Sequence, residues 1–218
     1  MLSEDGALYI ENIYLKSLLK NNLFDQLYHE HIYTYSIESL KNIFSKYNLF
    51  INDVKFNKMQ GGSFFIKLIR KNKKKKFIEK IISSENNKNL FNKNFKKSVN
   101  NRIHSSLNKL SLFIKKKNNQ NIKLTGYGAS AKAVMLINLL GLSKKNIQFI
   151  VDNTKNKQDN LLPGTNIPII SPKKSKDYLG SFCVIFSWNF AKEIILKEKN
   201  RNLKTKWVIP IPKLKLIK

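Results

Sequence analysis

The sequence has 218 residues, 42% of them hydrophobic and 11% aromatic, enough to bury one large core or two small ones, and this excludes wholesale disorder. A formal charge of +27 points first to nucleic acid or an anionic membrane as partner. Yet of the 41 basic residues all but Arg70, Arg102 and Arg201 are lysine, whereas base-reading and bidentate phosphate sites favour arginine; the charge reads as a solvated surface, and a nucleic-acid-binding protein ranks last among the functional classes.

In chain order, Met1 to Gly6 has no basic region followed by an apolar stretch, so no secretory signal is expected. Ala7 to Ile10 reads as a buried strand, and a polar, helical stretch follows it. Behind Ser36, a cap candidate, Ile37, Leu40, Ile43 and Phe44 recur at helical spacing, which predicts an amphipathic helix ending near Asn48. Phe50 to Phe56 and Ser63 to Ile69 read as an antiparallel pair of strands around Asn57 to Gly62. The lysine-dense run from Lys71 to Lys76 is the clearest break in composition and sets a boundary, giving a first domain at 1–70. A helical connector at 71–120 follows, with a stripe of Phe91, Phe95, Val99, Ile103, Leu107, Leu110 and Ile114 at spacings of three and four.

From 121 to 218 strand and helix alternate: Ile122 to Thr125, Ala131 to Leu140, Ile147 to Val151, a loop around Pro163-Gly164-Thr165, Phe182 to Phe186, Ala191 to Lys197 and Trp207 to Ile211. That order favours a Rossmann-like, mostly parallel sheet covered by helices on both faces. Val134 to Leu142 is too short to span a bilayer. Cys183 is the one cysteine and lies in an apolar run, so neither a disulfide nor a Cys-rich metal site can form; a reducing, cytoplasmic setting fits.

Two segments carry chemistry. Tyr28-His29-Glu30-His31 holds two of the three histidines beside a carboxylate that can orient an imidazole and a phenol that can donate a proton, which is the equipment for proton abstraction near neutrality. If the stretch is helical, Tyr28 and His31 share a face. The same residues also suit a surface segment whose histidines cap neighbouring elements, and a zinc site would need a third ligand cluster that the sequence lacks. The second segment, Gly126-Tyr127-Gly128-Ala129-Ser130-Ala131, follows a strand and opens a helix, as in a dinucleotide fingerprint. Asp152 stands near the distance at which a ribose-binding acid is expected, so an NAD-binding domain of oxidoreductase type is the alternative reading. The helix start suits any phosphate, including that of a sugar nucleotide, with Ser130, Lys132 and Asn189 as further polar contacts.

Phe24-Asp25-Gln26-Leu27-Tyr28-His29-Glu30-His31, then Tyr35-Ser36 opening a helix, then Gly61-Gly62-Ser63, resembles the catalytic stretch of bacterial sugar C-methyltransferases. The resemblance continues through Gly126 to Lys132, Val151-Asp152-Asn153, Pro163-Gly164-Thr165, Ser187-Trp188-Asn189-Phe190 and Ile209-Pro210-Ile211-Pro212, so it covers nearly the whole chain. It implies methyl transfer from S-adenosylmethionine to a carbon next to the keto group of a nucleotide-linked deoxysugar, with no metal. His31 would be the general base, assisted by Tyr28, Glu30 and His29, and Gly61, Gly62 and Ser63 would lie against the sugar. By the same resemblance residues 1–70 form the incomplete tail of a class I methyltransferase sheet, and the loop from Gly126 to Ser130 holds the nucleotide sugar. The glycine-rich S-adenosylmethionine pocket and a Cys-rich zinc region that such proteins usually carry are not within these residues. Two explanations stand for that: a separate chain supplies the missing half as a partner set against the open edge of the first strand, or the gene is a truncated remnant.

Overall fold

The computed structural model describes residues 2–71, 75–86, 90, 92–175, 179–199 and 204–217. Residues 72–74 of the lysine-rich run and Phe91 of the apolar stripe lie outside the described residues. The chain is mixed α/β and forms two compact units, one of residues 1–24 and 29–102, the other of 25–28 and 103–218.

In the first unit, β1 (Ala7–Ile13), β2 (Phe50–Asn57) and β3 (Ser63–Ile69) form an antiparallel sheet in the order β1-β3-β2. The expected antiparallel pairing of the second and third strands is observed, with Phe56 opposite Phe64 and Val54 opposite Ile66. Alternation does the sorting: Phe64, Ile66 and Leu68 are fully buried, while Phe65 and Lys67 between them face outward. Against the buried face pack α2 (Ile37–Ser45) and α3 (Lys76–Asn86), through Ile37, Leu40, Ile78 and Ile82. Ser36 caps α2 as its sequence predicts, but its capping-box partner is a serine: Ser36 Oγ accepts from Ser39 N at 3.0 Å and Ser39 Oγ accepts from Ser36 N at 3.0 Å. Helix α3 departs from the linker reading. Its apolar positions are few, and a lysine-rich start hides them.

A short helix, α1 (Leu15–Lys20), follows β1 directly. It explains the glycine pair. Gly62 sits at φ 133°, and a Cβ there would lie 2.7 Å from both Cβ and Oγ of Ser17. Gly62 O accepts from Tyr14 N at 3.1 Å and Gly61 O from Asn21 Nδ2 at 3.3 Å. The pair thus seats the β2–β3 connection on α1, where a side chain at Gly62 would collide.

The long helix α4 (Lys93–Asn119) bears the predicted stripe, with Val99, Leu110 and Ile114 buried. The division between units falls inside it, between Arg102 and Ile103, rather than at the break in composition, because α3 shares the core of the first sheet.

The second unit has a six-stranded sheet among the described residues, built from β4 (Leu124–Tyr127), β5 (Ile150–Val151), β6 (Ile169–Ile170), β7 (Phe182–Ile185), β8 (Lys206–Ile209) and β9 (Lys215–Ile217). Its order is β6-β5-β4-β7-β8-β9, parallel except for β9. The expected mostly parallel sheet is therefore present. β4 and β7 are buried along their whole lengths, and α5 (Ala131–Leu139) and α6 (Ala191–Lys199) accompany them. No described helix is long and apolar enough to cross a membrane.

Cys183 of β7 is completely buried, and burial pushes its thiol from 9.0 up to about 12. Below pH 9 the thiol is protonated whether the chain is folded or not; above it, the unfolded chain releases a proton that the folded chain retains. Stability should therefore fall as pH rises from 9 towards 12, and a Cys183→Ala variant should show a shallower decline in urea unfolding across that window. A thiol-alkylating reagent at pH 8 should label the chain only in denaturant.

Candidate active site

The Tyr28 to His31 segment is not helical. A 3-10 turn at Phe24–Gln26 precedes it, and residues 27–34 form neither helix nor strand. The expectation that Tyr28 and His31 share a helix face is thereby corrected. Asp25 to Tyr28 belong to the second unit, whereas His29 onward belong to the first.

Glu30 and His31 line an open cleft of about 480 Å³ in the first unit, together with Glu11, Tyr33, Tyr35 and Ser63. Three features of the chain build it. Tyr35 forms a parallel bridge with Tyr14, and Leu15 N donates to Tyr35 O at 3.0 Å, so the strip from His31 to Tyr35 is tied to the end of β1. Ser36 then starts α2 and ends the strip. Opposite, Ser63 opens β3 as the partner of Ile13, which brings its hydroxyl beside β1. Ser63 Oγ lies 3.0 Å from Glu11 Oε1 and 2.6 Å from Asn57 Oδ1, and Asn57 Nδ2 donates to Glu11 Oε1 at 3.2 Å. Glu11 thereby gains a fixed place in the cleft. The rings of Tyr33 and Tyr35 stack with centroids 6.3 Å apart, giving the mouth an aromatic wall.

His29 and Tyr28 are not among the lining residues, nor are Gly61 and Gly62. The His29 side chain is 82% exposed and faces Glu30, with Nε2 and Oε1 3.8 Å apart. Glu11 and Tyr33 were not singled out by the sequence, and Tyr35 only as the residue before the cap of α2. A carboxylate interrupting the apolar run of β1 is the signal that marks Glu11.

In the second unit the glycine turn follows β4 and opens α5 as the sequence predicts. Gly126 is packed so closely that a Cβ would lie 2.9 Å from Ile150 Cγ1 and from Phe186 Cε2. Gly128 has φ 88°, and a Cβ there would fall 2.2 Å from Ser187 Oγ. Tyr127 turns into the core: its hydroxyl donates to Glu198 Oε1 at 2.9 Å, and burial, reinforced by Glu198, holds the phenol well above its ordinary range. Ala129 N donates to Asp152 Oδ2 at 2.7 Å, so a buried carboxylate already takes one of the amides a phosphate would use. Ser130 is the N-cap of α5, its Oγ accepting from Ala133 N at 3.4 Å.

Lys132 and Asn189 belong to a different cluster. Lys132 Nζ lies 4.9 Å from the centre of the Trp188 ring and donates to Asn189 Oδ1 at 3.5 Å. Trp188 Nε1 in turn donates to Asp25, which is almost wholly buried. Burial raises the Asp25 carboxyl against the opposing pull of Trp188 and Lys132, and burial lowers the Lys132 ammonium against the pull of Asp25. These residues hold the 25–28 segment within the second unit.

Together these elements define an α/β protein with a cleft lined by Glu11, Glu30 and His31 in one unit and a glycine turn at the carboxyl edge of a parallel sheet in the other. Residues 58–212 match the family described as C-methyltransferase C-terminal domain, and the chain belongs to that family. It is similar to C-methyltransferase NovU of Streptomyces niveus, with 29% identity over 221 residues covering 100% of this chain and 53% of NovU. The chain thus spans about half the length of that relative. Tyr28 to His31 precede the family match and fall within the similarity to NovU.

Proposed function

We propose that this chain serves C-methylation of a nucleotide-linked keto-deoxysugar by removing a proton from the carbon next to the keto group, with His31 as general base. The observation that carries the reading is the cleft in which Glu30 and His31 stand together with Glu11 and Ser63. An imidazole nitrogen of His31 takes the α proton, the C–H electron pair moves towards the carbonyl, and an enolate forms whose carbon is the nucleophile. Hydroxyls of Tyr33 and Tyr35, both on the lining, can donate to the developing oxyanion, the part that the resemblance gives to Tyr28. Glu30, on the same lining, supplies a carboxylate to the cleft that receives the proton.

S-adenosylmethionine is the methyl donor that the family implies. The described residues do not suit it: β1 runs through Tyr14 into α1 with no glycine turn at the helix start, and the glycine turn after β4 has an amide taken by Asp152. Its pocket is proposed to come from residues beyond these 218, on the same or a second polypeptide set against the β1 edge, where Tyr9 is exposed.

The proton step can be tested without the methyl donor. In D2O the purified chain should catalyse deuterium incorporation at the carbon adjacent to the ketone of a thymidine diphosphate keto-deoxysugar, read by proton NMR, while S-adenosylmethionine should show no saturable binding in calorimetry. Exchange no faster than in buffer would overturn the assignment of the base. Tight binding of the methyl donor would overturn the division of labour.

A further inference from the structure

A second cleft, of about 310 Å³, lies in the second unit and has no part in the proton abstraction. Its position follows from the strand order. β4 comes first in the sequence and lies between β5 and β7, so the chain leaves β4 towards one side of the sheet and later resumes on the other. The loops after these strands diverge at the carboxyl end of β4, and ligands of open α/β sheets bind in such a crevice.

Its chemistry differs from that of a phosphate cradle. Asp152 Oδ2 accepts from Ala129 N at 2.7 Å and Oδ1 from Thr154 N at 2.8 Å. Ser187 fills the space that the bare Cα of Gly128 leaves open. A phosphate approaching the turn would find the Ala129 amide taken and a carboxylate beside it. Beside the donors of Thr154, Ser187 and Lys197 the cleft retains acceptors: a carboxylate offers about four acceptor positions, so each oxygen of Asp152 keeps one beyond its backbone contact. Glu193 adds a second, exposed carboxylate on the lining. Phe190 and Ile194 supply an apolar wall, and Lys197, at the rim, donates to Asn153 Oδ1 at 3.2 Å.

We infer that this cleft binds an uncharged sugar ring through a vicinal diol, two hydroxyls donating to Asp152 and Glu193 while the ring lies on Phe190 and Ile194. The inference stands apart from the role of His31, and its test involves no proton exchange. A diol of this kind comes either from a ribonucleoside or from a hexose. Four probes separate the sources: uridine, methyl glucopyranoside, thymidine, which lacks the vicinal diol, and inorganic pyrophosphate. Binding is followed by NMR through the backbone amides of Asn153 and Ser187.

Saturable shifts are expected with uridine or with the glucoside, and whichever binds names the source. Thymidine should bind at least tenfold more weakly than the diol that binds, and pyrophosphate should not displace it. Glu193→Gln, on an exposed position of α6, should weaken the diol tenfold or more with the fold unchanged. Asp152→Asn should do the same, and the glutamate variant keeps the test decisive if the asparagine disturbs the turn. Thymidine equal to uridine, displacement by pyrophosphate, or silence from both diols would overturn the inference.

Discussion

The His31→Gln variant is expected to exchange the α proton of the keto sugar about a hundred to ten thousand times more slowly than the unaltered chain, the usual contribution of a positioned general base. Glutamine retains hydrogen-bonding capacity in a side chain of moderate size but cannot take up a proton near neutrality, so the loss reports on basicity rather than on packing. The cleft contains its own control. Glu11 and Glu30 are the other groups on the lining able to accept the proton from an arriving sugar, and Glu11 is held by Ser63 and Asn57. Glu11→Gln should lower exchange by less than tenfold, since a hydrogen-bonded carboxylate is better suited to orienting a hydroxyl. If instead exchange survives in His31→Gln and disappears in Glu11→Gln, the base is Glu11. His29→Ala should leave the rate within a factor of about two, because that side chain points into solvent.

The contrast between His31 and Glu11 illustrates what could be read from the sequence. His31, Glu30 and Ser63 were legible because rare residue types cluster in short motifs, and a motif needs no fold to be seen. Glu11 was not, because its role depends on the pairing of Ile13 with Ser63, a contact between residues fifty apart in sequence. The same applies to the elements. The β2–β3 pair announces itself through alternating burial and intervening glycines, and α2 through Ser36. β6 is two residues long and β9 three, too short for any periodic signal. The glycine turn was located correctly, whereas its chemistry depended on Asp152: an acid at that position can meet a ribose or bind its own backbone, and only the coordinates show it bound to Ala129 and Thr154.

Glu85 is the residue whose importance the sequence conceals most completely, since a glutamate near the end of a helix that already carries Lys76, Glu79 and Lys80 reads as surface. It is fully buried. Its Oε1 accepts from the Tyr14 hydroxyl at 2.8 Å and from Ile37 N at 2.9 Å, and its Oε2 from Glu38 N at 3.1 Å. A carboxylate on α3 therefore closes the first turn of α2, where unpaired amides and the helix dipole both favour negative charge. Tyr14 registers the same environment: burial first, then Glu85, raises its phenol beyond the ordinary 10.0, so it remains a donor across the whole working range of pH. Glu85→Ala leaves three donors without their acceptor inside the core and should cost about 3 kcal/mol in urea unfolding. Adding Tyr14→Phe removes one of the stranded donors, so the double variant should be less destabilised than the sum of the two singles, by about 1 kcal/mol. Strict additivity would mean that the hydroxyl and the carboxylate do not interact. The effect should also reach the cleft. Ile37 and Glu38 follow directly on the strip from His31 to Tyr35, so hydrogen exchange at these amides should accelerate in Glu85→Ala before global unfolding, and sugar α-proton exchange should fall with it as the strip loses its anchor.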